Sequence, residues 1–200
     1  WAAPVQEEDI VGVEYRVNID QMERQNAPSD ASLLRPGFAG FLNYSVFGWI
    51  EGLDSQALVC RIETFAGWPV FSTNMPAHEQ ARGSLQFRAD DYPALADGQV
   101  LMGPRLRVKS FAGQVPLFVA SYGQTADEYL DDYGSIGMEC MSVLESFYGG
   151  LPFAHYTLVL SKALQPGNRV ASGFAMEHLN SGTFMGDTSG LQRGPMSPAT

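Results

Sequence analysis

One stretch of this chain, residues 125 to 148, carries a sustained helical repeat, while the residues before it alternate with a period of two between turns. Thr125 stands where a helix N-cap belongs and Glu128 follows three residues on, the spacing of a capping box. Tyr129, Tyr133, Ile136, Cys140, Val143 and Phe147 then recur every three or four residues, which predicts one buried apolar stripe. Gly149, Gly150 and Pro152 end the repeat. At 1.5 Å per residue the predicted helix is roughly 36 Å long.

Upstream, residues 10 to 19 alternate like a half-buried strand, and residues 20 to 36, with Pro28 and Pro36, read as a long polar connection. Residues 37 to 52 are aromatic and Gly-rich. Leu58, Cys60 and Ile62 alternate with Val59, Arg61 and Glu63, which predicts a strand, and Leu85 to Arg88 predicts another. Residues 91 to 104 contain two Pro and two Gly and suggest a domain boundary. Residues 106 to 122 read as two strands around Gly113 and Gln114, with Pro116 suggesting an edge position. A strand is expected from Tyr156 to Ser161, and the Gly-, Ser- and Pro-rich residues 182 to 200 read as a flexible tail. The pattern predicts an α+β fold with a β-rich, sandwich-like N-terminal part, divided as 1 to 92 and 93 to 200.

Composition narrows the function. Hydrophobic residues make up 45% of the chain, enough for a real core. The net charge of −10 and the absence of any Lys or Arg run argue against nucleic acid as a partner. The apolar stretches are too short and interrupted for a membrane span. Two cysteines cannot form a disulfide framework; Cys60 and Cys140 are expected as buried free thiols, so Cys140 would be out of reach as a nucleophile. The chain opens on Trp1 and is expected to start inside a longer gene product or after a processing cut. A periplasmic or secreted address is favoured over the cytoplasm.

Motifs that carry chemistry are few. His78, His155 and His178 lack metal-ligand spacing, and there is no C-x-x-C, no G-x-S-x-G and no phosphate-binding glycine loop. His155 reads as a surface or capping histidine, and His78 as a solvated loop residue. The segment Phe174-Ala175-Met176-Glu177-His178-Leu179-Asn180-Ser181 differs from the rest. It gathers an acid, an imidazole, an amide and a hydroxyl within five residues.

That segment resembles the G-G-x-E-H-x-N-S signature of the glycyl aminopeptidase family of zinc peptidases, and also the G-x-M-E-N exopeptidase motif of the aminopeptidase N family. Two further phrases support the resemblance. Tyr92-Pro93-Ala94-Leu95-Ala96-Asp97-Gly98-Gln99-Val100 is similar to the family's Y-x-x-L-x-D-x-P-[IV], with Gly98-Gln99 in place of Ser-Pro. Residues 147 to 156, FYGGLPFAHY, are similar to its F-G-x-x-P-[FY]-x-x-Y, with one inserted residue. Order and spacing hold from about residue 37 to 184.

The resemblance implies the end of a β-sandwich-like domain followed by the strand-helix-strand start of a thermolysin-like catalytic domain. It also implies zinc, held by an H-E-x-x-H motif that this chain does not contain, so the chain is expected to be inactive alone. In such enzymes zinc activates water and polarises the scissile carbonyl. The exopeptidase motif would bind the substrate's N-terminus: Glu177 would pair with the α-ammonium, Gly173, Ala175 and Met176 would offer backbone contacts, and His178 and Asn180 would orient Glu177 or the substrate. Phe174 and Ala175 replace the family's two glycines, which leaves a small or apolar first residue as open as glycine. The expected partners are the peptide N-terminus and the remainder of the catalytic domain, in cis or as another chain; the apolar stripe of the long helix predicts self-association without them. The alternative reading is a non-catalytic, β-rich module that binds peptides or a partner.

Overall fold

A computed structural model of the protein describes residues 12–26, 32–75, 81–122, 130–161 and 174–185. Its elements stack in four layers: a hairpin, a first sheet, a second sheet and a helix.

The first sheet holds five antiparallel strands. β1 (Leu33–Arg35) lies at one edge, then β2 (Phe38–Leu42). The central strand comes from much later in the chain, β7 (Gln99–Met102), and pairs with β4 (Pro69–Ser72), beyond which lies β5 (Ala81–Arg82). Residues on β4 and β7 are buried on both faces. One face meets the hairpin of β3 (Leu58–Glu63) and β6 (Ser84–Ala89), where Cys60, Ile62, Leu85 and Phe87 pack on Val70, Val100 and Met102. These two strands alternate buried and exposed as their sequences predict. The other face carries Phe71 and Leu101 against Phe118, Ala120 and Val159 of the second sheet and Leu106 just before it.

The second sheet runs in the order β11 (Phe174–Glu177), β12 (Ser181–Met185), β10 (Tyr156–Ser161), β9 (Leu117–Tyr122), β8 (Arg107–Phe111). β9, β10 and β12 are parallel to one another, and the two outer strands are antiparallel to their neighbours. Parallel neighbours need a crossover, and α3 (Leu130–Tyr148) lies between β9 and β10 in the chain and covers the sheet's outer face.

Several expectations need correction. Residues 12 to 18 form no strand and are largely exposed, because no neighbouring strand takes up their alternation; Ile19 instead opens α1 (Ile19–Asn26), inside the segment read as a connection. The segment 91 to 104, where a boundary is expected, is not an unstructured break, since it contains α2 (Tyr92–Ala96) and β7. Asp91 caps α2 by accepting from Ala94 N at 2.7 Å, and Pro93 fits its first turn. The change of sheet therefore follows Met102. Pro116 marks no edge: β9 is flanked by β8 and β10, and the Pro116 carbonyl accepts from Tyr156 N at 3.0 Å. Residues 182 to 185, the start of the expected tail, belong to strand β12.

The helix is right in kind and turned in azimuth. Thr125, Glu128 and Tyr129 lie outside the described residues. Leu130, Gly134 and Met141 are buried, whereas Ile136, Val143 and Phe147 are exposed and Cys140 faces out. The buried line is offset by one residue, about 100°, from the line of large apolar side chains. Glycines decide it: a Cβ on Gly137 would sit 2.7 Å from Leu117 Cδ2, so the bare side lets the helix lie close to the sheet. Both cysteines are free, and burial pushes the Cys60 thiol up to about 11.

Candidate functional site

The segment with the acid, imidazole and amide forms the second sheet's free edge. β11 pairs with β12 on one side, with Glu177 opposite Gly182 and Met176 opposite Thr183, and no described strand lies on its other side. His178 N donates to the Ser181 carbonyl at 2.9 Å. In an antiparallel ladder that bond makes Glu177–Gly182 a non-hydrogen-bonded pair. The backbones of Ala175 and Glu177 are thereby turned towards the open edge. Their side chains are exposed, while Met176 turns inward and packs on Leu33 and Leu42 of the first sheet.

The turn after β11 and the strand that follows it meet residues in and beside the first sheet. Asp97, which follows α2, accepts from Leu179 N, and its other carboxylate oxygen lies 3.5 Å from His178 Nδ1. The His178 side chain is only 3% exposed. His155 Nε2 lies 2.9 Å from the Thr73 carbonyl, and since a carbonyl only accepts, that nitrogen donates; Asn180 Nδ2, 3.0 Å from the same nitrogen, is then a packed neighbour and not its donor. Asn180 O accepts from Thr157 N at 2.9 Å. Gln99, buried in β7, donates to the Thr183 hydroxyl.

Asp97 is itself held in place. Asn74 donates to the Ala94 carbonyl at 2.6 Å and accepts from Asn43, which also donates to the Leu95 carbonyl. A polar chain thus runs from the core of the first sheet, through the end of α2, to the turn that follows Glu177. Asn74, Arg88, Asp97, Leu179 and Asn180 line a small cleft of about 160 Å³ beside it.

The structure brings Ala175, Met176, Glu177, His178 and Asn180 into one strand and turn; Gly173 and His78 lie outside the described residues. His155 is not a surface residue: it is buried under Phe118 and bonded to Thr73, because the loop that ends in it enters β10 between the two sheets. Sequence reasoning missed two neighbours. Asp97 and Tyr156 each stand inside a phrase quoted above for the resemblance, which was their only signal. Burial first and the charge of Glu177 second push the Tyr156 phenol above its usual range. Among the described residues no three His, Cys, Asp or Glu side chains gather into one cluster.

Residues 1–104 match the family described as the Peptidase M61 N-terminal domain. The chain belongs to the M61 peptidase family. The matched stretch contains the first sheet and its hairpin, and ends just after β7. Among solved structures, the chain is similar to an aminopeptidase N family protein from Idiomarina loihiensis, with a TM-score of 0.61 at 21% identity over 77% of this chain and 26% of that one. It also resembles Legionella pneumophila aminopeptidase A, solved in complex with aspartic acid, at 13% identity and a TM-score of 0.43 over 76% of this chain and 19% of that one. The M61 chain thus spans about a quarter of the length of the first of these structures. No curated protein matches it.

Proposed function

We propose that this M61 chain is part of an aminopeptidase that removes N-terminal residues from peptides, and that β11 is where the substrate's N-terminus binds. The observation that carries this is Glu177, exposed at a free strand edge with the backbones of Ala175 and Glu177 turned outward. A peptide adding to that edge gains main-chain hydrogen bonds. At its free end the α-ammonium meets a carboxylate, and an internal peptide bond has no such cation to offer. His178 and Asn180 hold the turn that sets where Glu177 lies.

Zinc, where the full-length protein holds it, would be ligated by residues other than those described. The rest of the catalytic domain, in cis or as a second chain, is the partner that would supply them and cover the outer face of α3.

The test is discrimination between free and blocked N-termini in the full-length protein. Glu177→Gln should weaken turnover of a free alanyl peptide by about 10- to 100-fold, the worth of a hydrogen bond to a charged group. Hydrolysis of the N-acetylated peptide should not change. An unchanged free-to-acetylated ratio would overturn the role of Glu177. A full-length protein without peptidase activity on any substrate would overturn the enzymatic reading.

A further inference from the structure

Gly182 sits opposite Glu177 in a non-hydrogen-bonded pair, where facing side chains come closest. Its backbone does not adopt the left-handed conformation that favours glycine. The missing side chain is therefore a matter of space. A Cβ at this position would lie 3.2 Å from Tyr156 Oη and 3.2 Å from Phe184 Cε2. The phenol of Tyr156, on the neighbouring strand β10, reaches over the bare backbone of β12, closer than a side chain there would comfortably allow. Cross-strand partners share a face, so the phenol oxygen arrives on the face that carries Glu177.

We propose that Tyr156 is a substrate-binding residue: its phenol oxygen is the second acceptor of the site in which Glu177 receives the peptide's free amine, and Gly182 is the opening that admits it. The proposal rests on the reading of Glu177 given above. An α-ammonium carries three N–H donors. A carboxylate on one side satisfies one or two of them. A neutral phenol keeps lone pairs for another, and a phenol held neutral by burial and by the carboxylate beside it suits that task. Phe184, 41% exposed and packed close to the same glycine, walls the site on the apolar side. This places an aromatic edge where the substrate's first side chain would lie, which fits a small apolar residue better than a charged one.

Two measurements on the full-length protein test this. In hydrolysis of alanyl p-nitroanilide, Tyr156→Phe should raise KM about tenfold with kcat nearly unchanged, as expected for one lost hydrogen bond to a cation. Gly182→Ala should act in the same direction, since its methyl displaces the phenol. Without turnover, ring-labelled tyrosine NMR at neutral pH reads the same contact. Alaninamide should move one Cζ resonance, the one absent from the spectrum of Tyr156→Phe, and the movement should vanish in Glu177→Gln.

If Glu177→Gln leaves KM for the free amine unchanged, the underlying amine site is wrong. If Glu177→Gln raises KM while Tyr156→Phe does not, and alaninamide leaves the Tyr156 resonance in place, then Glu177 binds the amine without Tyr156 and this inference falls by itself. Phenylalanine keeps the ring and its packing, so a folded Tyr156→Phe protein, checked by circular dichroism, gives a clear reading even where Gly182→Ala disturbs the strand.

Discussion

Single residues at the β11 edge divide their labour by face. Glu177 and Ala175 face outward, Met176 and His178 face the first sheet, and Asp97 fixes the turn between the two strands by accepting from Leu179 N. Asp97 thus touches no substrate in the proposed scheme yet sets where Glu177 lies. Asp97→Ala leaves Leu179 N–H without its charged acceptor and removes the carboxylate beside His178. The expected cost is about 0.5–1.5 kcal/mol of stability, the net worth of a typical hydrogen bond, because water can reach the exposed Leu179 N–H. Amide exchange should accelerate at Leu179 while the β9–β10 amides keep their protection. Uniform acceleration through the whole sheet would mean that Asp97 supports the fold rather than the turn. The same variant should raise KM for free-amine peptides more than it lowers kcat, because it loosens binding geometry and leaves the reacting groups alone.

The elements show what could and could not be read from the sequence. β3, β6, β8, β9 and β10 were legible because each has one covered face or a bounded apolar run. β4 and β7 were not, since both faces are buried, by the hairpin and by the second sheet, and a short run such as Gln99–Met102 carries no period to detect. The turn after β11 meets Asp97 across 82 residues and His155 across 25, and His155 meets Thr73 across 82, so none of these contacts has a local signature. α3 was found and then misoriented, because periodicity counts large apolar residues and overlooks glycines. Gly134 makes the point testable. A Cβ there would run into the Phe111 ring of β8. Gly134→Ala should gain up to about 1 kcal/mol of helix propensity but lose about 1–3 kcal/mol to overpacking. The net expectation is a lower Tm in thermal unfolding, against the usual gain for glycine-to-alanine in a helix. Combining it with Phe111→Ala should return part of the loss, and a stabilised Gly134→Ala would mean the helix does not lie as close to the sheet as described.

At the scale of the whole molecule, the four layers leave one face without a cover. The hairpin closes one side of the first sheet and α3 closes the outer side of the second. Beyond α3 nothing described packs on Ile136, Val143, Leu144, Phe147 and Tyr148, each at least 45% exposed. Next to them Leu151, Pro152 and Phe153 line a shallow apolar groove with Leu144 and Tyr148. A contiguous apolar face of this kind tends to mark an interface. Under the function proposed above, the rest of the catalytic domain would cover this face in the full-length protein. The 200-residue chain by itself, carrying a net charge of −10 that opposes collapse onto itself, should still associate through this face. Light scattering should report dimers or larger species at micromolar concentration, more so in high salt, where repulsion is screened and apolar burial is undiminished. Val143→Lys with Phe147→Lys, both far exposed, should restore a monomer without lowering Tm, since neither side chain supports the sheet contact. In the full-length protein the same pair should destabilise, because there the face would be buried and two lysines would lose their water. A monomeric wild-type chain would remove the self-association, and a full-length protein indifferent to the two lysines would show that the rest of the enzyme does not lie on α3.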